Sequence, residues 1–150
     1  MSIETEINQK QFRNEYQKAV INLIYTYNWM TEKSKAILDR FDVTAQQFNI
    51  LRILRGAGEP LSTLQIRQRM LDRMSDTSRI VDRMVKKGLV KKVVCRTDKR
   101  LVDVTISDKG KSLLEKMDEY QDELDGILRN LSESDAKTLN MLLDKTRSRG

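Results

Sequence analysis

The side chains that most clearly suggest a function in this chain are the lysines and arginines between Gln65 and Lys111. That segment holds 14 lysines and arginines against 6 aspartates and glutamates, a net charge of +8, whereas the rest of the 150-residue chain holds 14 and 16, a net charge of −2. Concentrated positive charge favours polyanions, because each neutralised phosphate releases condensed counterions. The distribution predicts a nucleic-acid-binding surface, and a solvated charged face is the alternative.

The chain lacks most of the residue types on which enzyme active sites commonly rely. The chain has no histidine and one cysteine, Cys95, which excludes histidine general bases, the Ser-His-Asp and Cys-His arrangements, and most zinc sites. The glycines match neither a P-loop nor a dinucleotide-binding loop. We therefore expect no enzymatic activity, no cofactor and no bound metal.

Composition and the first residues predict where the protein works. A single cysteine cannot form an intramolecular disulfide, which fits a reducing compartment. The start of the chain carries Glu4 and Glu6 and no apolar run, so it does not resemble a signal peptide, and no apolar segment is long enough to span a bilayer. We expect a cytoplasmic protein without membrane contact.

Amphipathic helices are predicted at both ends of the chain. Apolar side chains at three- and four-residue steps predict one helix from about Phe12 to beyond Ala36. A second long helix is predicted from its cap at Ser107, with an apolar seam that continues to Leu131, and a last helix follows Ser132. These seams offer more apolar surface than a small domain covers, so they need a partner.

The middle of the chain predicts a helix-turn-helix. Thr44 and Ser62 each precede a glutamine by three residues, the spacing of a capping box, so each predicts the start of a helix. The second helix is short, and after a break at 71–74 another is expected from near Ser75 to Gly88. Its inward face is predicted to hold Thr77, Ile80, Val81, Met84 and Val85.

Beyond Gly88 the apolar period falls from about 3.6 to about 2 residues, which is typical of β-strands. Segments 89–95 and 101–106 are rich in valine and predict two strands. The polar residues 96–100 between them are too hydrophilic to be buried, so they are expected to project as a charged wing.

The predicted fold is therefore mainly α with a small β-hairpin. We expect 1–150 to form one unit without repeats or linkers. Within it, 44–106 is assigned to a winged helix-turn-helix lobe, and 9–40 and 107–148 to a helical dimerisation stem.

Two motifs within this order of elements resemble the multiple antibiotic resistance regulator (MarR) family, and the resemblance covers nearly the whole chain. Segment 78–90, SRIVDRMVKKGLV, resembles the recognition helix running into the first wing strand. Segment 96–100, RTDKR, followed by VTISDKG at 104–110, resembles the Asp-x-Arg wing and the junction after it. The resemblance implies a dimeric DNA-binding transcription regulator, more commonly a repressor, with inverted half-sites about 34 Å apart.

A recognition helix fits the major groove, where its N-terminal half reaches base edges. Arg79 is the candidate for bidentate contact with guanine, and Asp76 either accepts from cytosine or, as we prefer, caps the helix. The predicted DNA-contacting residues of this helix are Ser75, Asp76, Ser78, Arg79 and Arg83.

The resemblance also implies wing contacts in the minor groove, with Arg100 as the main reader and Asp98 orienting its neighbours; surface ion pairs of little energetic value are the alternative. The predicted wing residues are Arg96, Asp98, Lys99 and Arg100.

Predicted phosphate contacts are Ser62, Arg67 and Lys86. Of these, Arg67 stands at a position where the family commonly has a small residue.

Family members often bind small aromatic effectors between the stem and the DNA-binding lobe. Tyr25, Trp29 and Met30 are candidates to line such a pocket, with ordinary packing as the alternative.

The rival function is a winged-helix dimer that serves as a protein interaction module. That module would carry a neutral recognition helix and wing, whereas both segments here are charged.

Overall fold

The computed structural model describes residues 1–94, 97–98 and 100–149. It confirms a mainly α fold with a small antiparallel sheet. The helices are α1 Ile3–Glu6, α2 Glu15–Leu38, α3 Ala45–Ala57, α4 Thr63–Arg69, α5 Thr77–Lys86, α6 Asp108–Asp118, α7 Gln121–Asp125 and α8 Glu133–Arg147, and the strands are β1 Leu61–Ser62, β2 Val90–Val94 and β3 Val102–Ile106.

A single apolar core joins α3, α4 and α5 to the sheet and to α6. The strand order is β1-β3-β2, with Leu61 opposite Val104 and Val90 opposite Ile106. β1 was not predicted, because two residues are too few for a detectable alternation. The largest fully buried side chains are Ile50, Leu51, Leu61, Ile66, Met84, Leu114, Val81, Val90 and Val104.

Side-chain caps define the helix starts as the sequence predicted. Thr44 and Ser62 accept hydrogen bonds from the backbone N–H groups of Gln47 and Gln65, each at 3.1 Å, and both glutamine side chains accept in return. Ser132 forms the same box ahead of α8. Each box satisfies donors that a helix end leaves without partners. These helix starts are confirmed.

The N-terminal helix starts later than predicted. α2 begins at Glu15 rather than Phe12, because the Asn14 side chain accepts from the backbone N–H of Gln17 at 2.8 Å and caps the helix there. A short additional helix, α1, is tied to α2 by an ion pair between Glu4 and Lys18 and by the hydrogen bond from Tyr25 to Glu6, and its Ile3 is buried. Four residues are too short a segment for periodicity to reveal.

The predicted long helix after Ser107 is interrupted, so that prediction was wrong. α6 ends at Asp118, and the chain re-enters a helix at Gln121 before a 3-10 turn at Gly126–Leu128. Two like-charged i,i+4 pairs, 118 with 122 and 119 with 123, disfavour a continuous helix. The break places the Tyr120 ring edge-on against Phe41, with centroids 5.2 Å apart.

The inward face of α5 holds four of its five predicted members. Thr77, Ile80, Val81 and Met84 are buried, but Val85 is 38% exposed, so its assignment was wrong. Leu89, just after the helix, is buried in the same core as Met84, whereas Val85 lies at its rim.

The two ends of the chain expose much of their apolar surface. No residue of α8 is buried, and α2 buries only Ile37 and Leu38. In the part of the chain that the structure describes, no helix combines the length and apolarity required to cross a membrane.

Candidate nucleic-acid interface

The helix-turn-helix consists of α4, the turn at 70–76 and α5. Asp76 is the N-cap of α5, and its Oδ1 atom accepts from the backbone N–H of Arg79 at 3.2 Å. That bond matches the capping interpretation of Asp76, and the carboxylate also neutralises part of the charge at the helix start.

The outward face of α5 is polar and mostly cationic, because three of its four apolar residues, Ile80, Val81 and Met84, are buried on the other side. Arg79 is 72% exposed in its side chain, and its Nε atom lies 3.9 Å from Asp76, a surface ion pair too weak to hold the guanidinium. Asp82 is tied to Lys92 on β2. The exposed polar residues of this face are Ser78, Arg79, Asp82, Arg83 and Lys86.

The turn before α5 is held by Asp72. The Asp72 carboxylate accepts from the backbone N–H of Met74 at 2.9 Å and from Gln46 Nε2 at 3.2 Å. The Ser75 hydroxyl donates to the Asp72 carbonyl oxygen at 2.9 Å, and Ser75 is only 8% exposed. Ser75 is therefore buried inside the turn, with its hydroxyl engaged by the backbone, and a base or phosphate contact from it stays a prediction.

The wing brings Asp98 and Arg100 together. The Arg100 Nε and Nη2 atoms donate to the two carboxylate oxygens of Asp98 at 3.2 and 3.3 Å, while the Arg100 side chain stays 90% exposed. These hydrogen bonds hold the pKa of the Asp98 carboxyl below its ordinary value. Asp98 thus orients a guanidinium that projects into solvent. The predicted wing residues Arg96 and Lys99, and Cys95 beside them, lie outside the described residues.

The three predicted phosphate contacts have different surroundings. Arg67 and Lys86 are exposed, whereas the Ser62 hydroxyl is engaged as the α4 cap. Two further exposed arginines were not predicted as contacts: Arg69, the last residue of α4, and Arg73, within the turn between the two helices. Their signal was the charge density of the segment rather than a motif.

Lys87 behaves differently from its neighbours on α5. Its ammonium donates to Gln47 Oε1 at 3.2 Å and to the carbonyl oxygen of Asp42. Asp42 lies in the left-handed region at φ 54°, two residues before Thr44, the N-cap of α3. Lys87 therefore ties the end of α5 to the junction between α2 and α3, and its ammonium is engaged by protein oxygens.

The candidate effector residues lie on α2, and two of them, Tyr25 and Trp29, already have protein contacts. The Tyr25 hydroxyl donates to Glu6 Oε2 at 2.8 Å, and this bond raises the pKa of the phenol. The Lys33 ammonium lies 5.2 Å from the centroid of the Trp29 ring. Two surface cavities of about 290 and 620 Å³ lie near Pro60, and Tyr25, Trp29 and Met30 line neither of them.

Comparisons with known proteins place this lobe in a family. The MarR family model matches residues 41–101, which include α3, α4, α5 and the wing. The HTH-type transcriptional repressor IacR of Pseudomonas putida is 29% identical over 115 residues, which cover 76% of this chain and 68% of that protein.

Solved structures extend the likeness to almost the full length. A mutant MarR from E. coli, complexed with operator DNA, superposes with a TM-score of 0.82 over 93% of this chain and 100% of that one, at 23% identity, which shows a shared fold. A MarR transcription factor from Planctomyces limnophilus is 31% identical, with a TM-score of 0.67, over 89% of this chain and 98% of that chain. With its winged helix-turn-helix and this near-complete coverage, the chain belongs to the MarR family.

Proposed function

We propose that this protein is a sequence-specific DNA-binding transcription regulator that binds an inverted-repeat operator as a homodimer and represses the adjacent gene. The observation that carries the proposal is the division of α5 into a buried apolar face and an exposed face with Arg79 in its first turn. The oriented Arg100 of the wing provides a second point of contact.

The two contact points suit different parts of a DNA duplex. A helix with exposed polar residues in its first turns reads base edges in the major groove, and arginine pairs with the O6 and N7 atoms of guanine. The wing arginine suits the minor groove, where narrow A·T tracts attract guanidinium groups. Arg67, Arg83 and Lys86 are left as phosphate contacts, which set affinity more than sequence preference.

The exposed apolar faces of the terminal helices α2 and α8 support homodimerisation. A 15-residue helix such as α8 is marginal in water unless its apolar face is packed, and none of its residues is buried within the chain. α2 exposes a stripe at positions i, i+4, i+7, i+8 and i+11, which a second copy can cover. The exposed apolar residues of these helices are Tyr16, Val20, Leu23, Ile24, Tyr27, Met141 and Leu142.

We assign 44–106 to the DNA-binding lobe and 9–40 and 107–148 to the stem that joins two such lobes. A twofold dimer presents two α5 helices, so the operator has inverted half-sites about one helical turn apart. A dimer seated on such a site excludes polymerase from an overlapping promoter, which is the basis for repression. A small aromatic effector that binds between the stem and the lobe would release the DNA by changing the spacing of the two helices.

Fluorescence anisotropy tests this function with duplex DNA from the region upstream of the gene and a scrambled duplex of the same composition. We expect tight binding to the first and a loss of about a thousandfold in affinity between roughly 50 and 200 mM salt. Equal weak binding to both duplexes, or no binding, would instead favour a protein interaction module.

A matched pair of charge variants assigns the binding to α5. Arg79→Ala should weaken specific binding by at least about tenfold, since a bidentate contact is lost in each half-site. Lys35→Ala removes an equally exposed cation, 74% against 72%, from the end of α2 and should change the affinity less than about twofold. Equal losses for the two variants would mean that charge alone governs binding.

A further inference from the structure

An exposed methionine stands directly before the recognition helix. Met74 is 93% exposed, and it lies two residues ahead of the N-cap Asp76. Along this segment exposure alternates, because Ser75 and Thr77 are buried at 8% and 3% while Met74 and Asp76 face outward. Met74 is therefore solvent-exposed close in sequence to Arg79, which is exposed in the first turn of α5.

The Met74 backbone is fixed even though its side chain has no packing. Its N–H group donates to Asp72 Oδ1 at 2.9 Å, and the same carboxylate is held from α3 by Gln46. The Ser75 hydroxyl closes the turn on the other side through the Asp72 carbonyl oxygen. An apolar side chain is thus held outward at a defined place, within about 7 Å of chain from the helix cap.

The surroundings of Met74 suit it to make an apolar contact within an otherwise polar interface with DNA. Most exposed neighbours of Met74 in the turn and at the start of α5 are polar, among them Arg73, Asp76, Ser78 and Arg79, and such groups suit phosphates and the polar edges of bases. The major groove offers one apolar group, the C5 methyl of thymine, and small or flexible apolar side chains pack against it. A thioether on an unbranched stem adapts readily to such a contact.

We propose that Met74 contacts the C5 methyl group of a thymine in each half-site and thereby makes a T·A pair part of the recognised sequence. This inference rests on the proposed function, since it requires α5 to enter the major groove. It adds a specificity determinant that does not depend on the charge of the helix.

The test removes the methyl group from the DNA and the apolar group from the protein separately. A duplex that the wild-type chain enriches from a random-sequence library serves as the probe. Each symmetric pair of thymines in it is replaced in turn by deoxyuridine, which lacks only the methyl group. Dissociation constants are measured for the wild type and for Met74→Leu and Met74→Gln, two replacements of similar size and opposite polarity.

For the wild type and for Met74→Leu, replacing one particular symmetric pair of thymines by deoxyuridine should raise the dissociation constant more than replacing any other pair. Replacing that pair should weaken binding about fourfold per half-site, or about fifteenfold for the dimer, the effect of losing one buried methyl contact per half-site. Met74→Gln should bind the thymine and deoxyuridine duplexes within about twofold of each other. Because Met74 is almost fully exposed, both variants should keep the wild-type circular dichroism spectrum.

Two results would overturn the proposal. The first is a wild-type profile in which no deoxyuridine pair costs more than twofold. The second is a deoxyuridine penalty that Met74→Gln retains in full, which would assign the methyl contact to another residue. Failure of the wild type to enrich any sequence would refute the proposed function itself, and it is distinct from both of these results.

Discussion

Gly110 offers a sharp test of the packing that seats α6 on the DNA-binding lobe. It lies in the first turn of α6, behind the cap at Ser107. A Cβ atom added at Gly110 would lie 2.3 Å from the carbonyl oxygen of Leu89 and 2.9 Å from Ile106 Cγ1. The first of these contacts is with backbone, which cannot rotate away, so α6 must move by about 1 Å to reach van der Waals distance.

The magnitude follows from two opposing effects. Alanine is favoured over glycine within a helix by about 1 kcal/mol, whereas forcing extra volume into a packed site costs about 1–3 kcal/mol and sometimes more. The clash with backbone places Gly110→Ala at the upper end of that range, so we expect a net loss of about 2 kcal/mol in the free energy of unfolding. Gly56→Ala is the control, because Gly56 lies in α3 with no atom within 4 Å of an added Cβ.

Urea unfolding followed by circular dichroism at about 222 nm measures both variants, at one protein concentration because dimerisation contributes to apparent stability. Gly56→Ala should be more stable than the wild type by about 0.5–1 kcal/mol, so the two alanine variants should differ by about 3 kcal/mol. If Gly110→Ala unfolds at the same urea concentration as Gly56→Ala, the close packing of α6 on the Leu89 carbonyl is refuted.

Three further substitutions probe the cap, the wing and the stem. Asp76→Ala should lower the free energy of unfolding by about 1 kcal/mol, since a side-chain cap is lost; an unchanged urea midpoint would contradict the capping role. Arg100→Ala should reduce the slope of log affinity against log salt by about one for each wing, and an unchanged slope would mean that the wing does not touch DNA. Leu142→Glu places a charge on the exposed apolar face of α8 and should shift sedimentation towards the monomer, whereas an intact dimer would exclude this face from the interface.

Local signals let the sequence predict much of the DNA-binding lobe. A hydroxyl three residues before a glutamine identified the starts of α3 and α4, because the reciprocal hydrogen bonds form within four residues and need no tertiary contact. Gly88 was expected to end the recognition helix, and it occupies the left-handed region at φ 76°. The fall of the apolar period from about 3.6 to about 2 residues after Gly88 correctly predicted the two longer strands, β2 and β3.

The features that the sequence did not predict depend on contacts distant along the chain. β1 exists because Leu61 pairs with Val104, and α1 is held by contacts with α2 rather than by its own propensity. The interruption after Asp118 was overlooked because apolar spacing continues through it while like charges oppose the helix. In the candidate site, residue type identified the cations, but only the structure shows that Ser75 turns inward and that Met74 projects outward.

In the proposed complex, two copies of this chain place their α5 helices in successive major grooves of one DNA site. Sequencing the duplexes that the 150-residue chain retains from a random library tests this arrangement most directly. We predict an enriched inverted repeat whose half-sites are about 10 base pairs apart from centre to centre. An enriched motif without twofold symmetry, or no enrichment over the starting library, would contradict it.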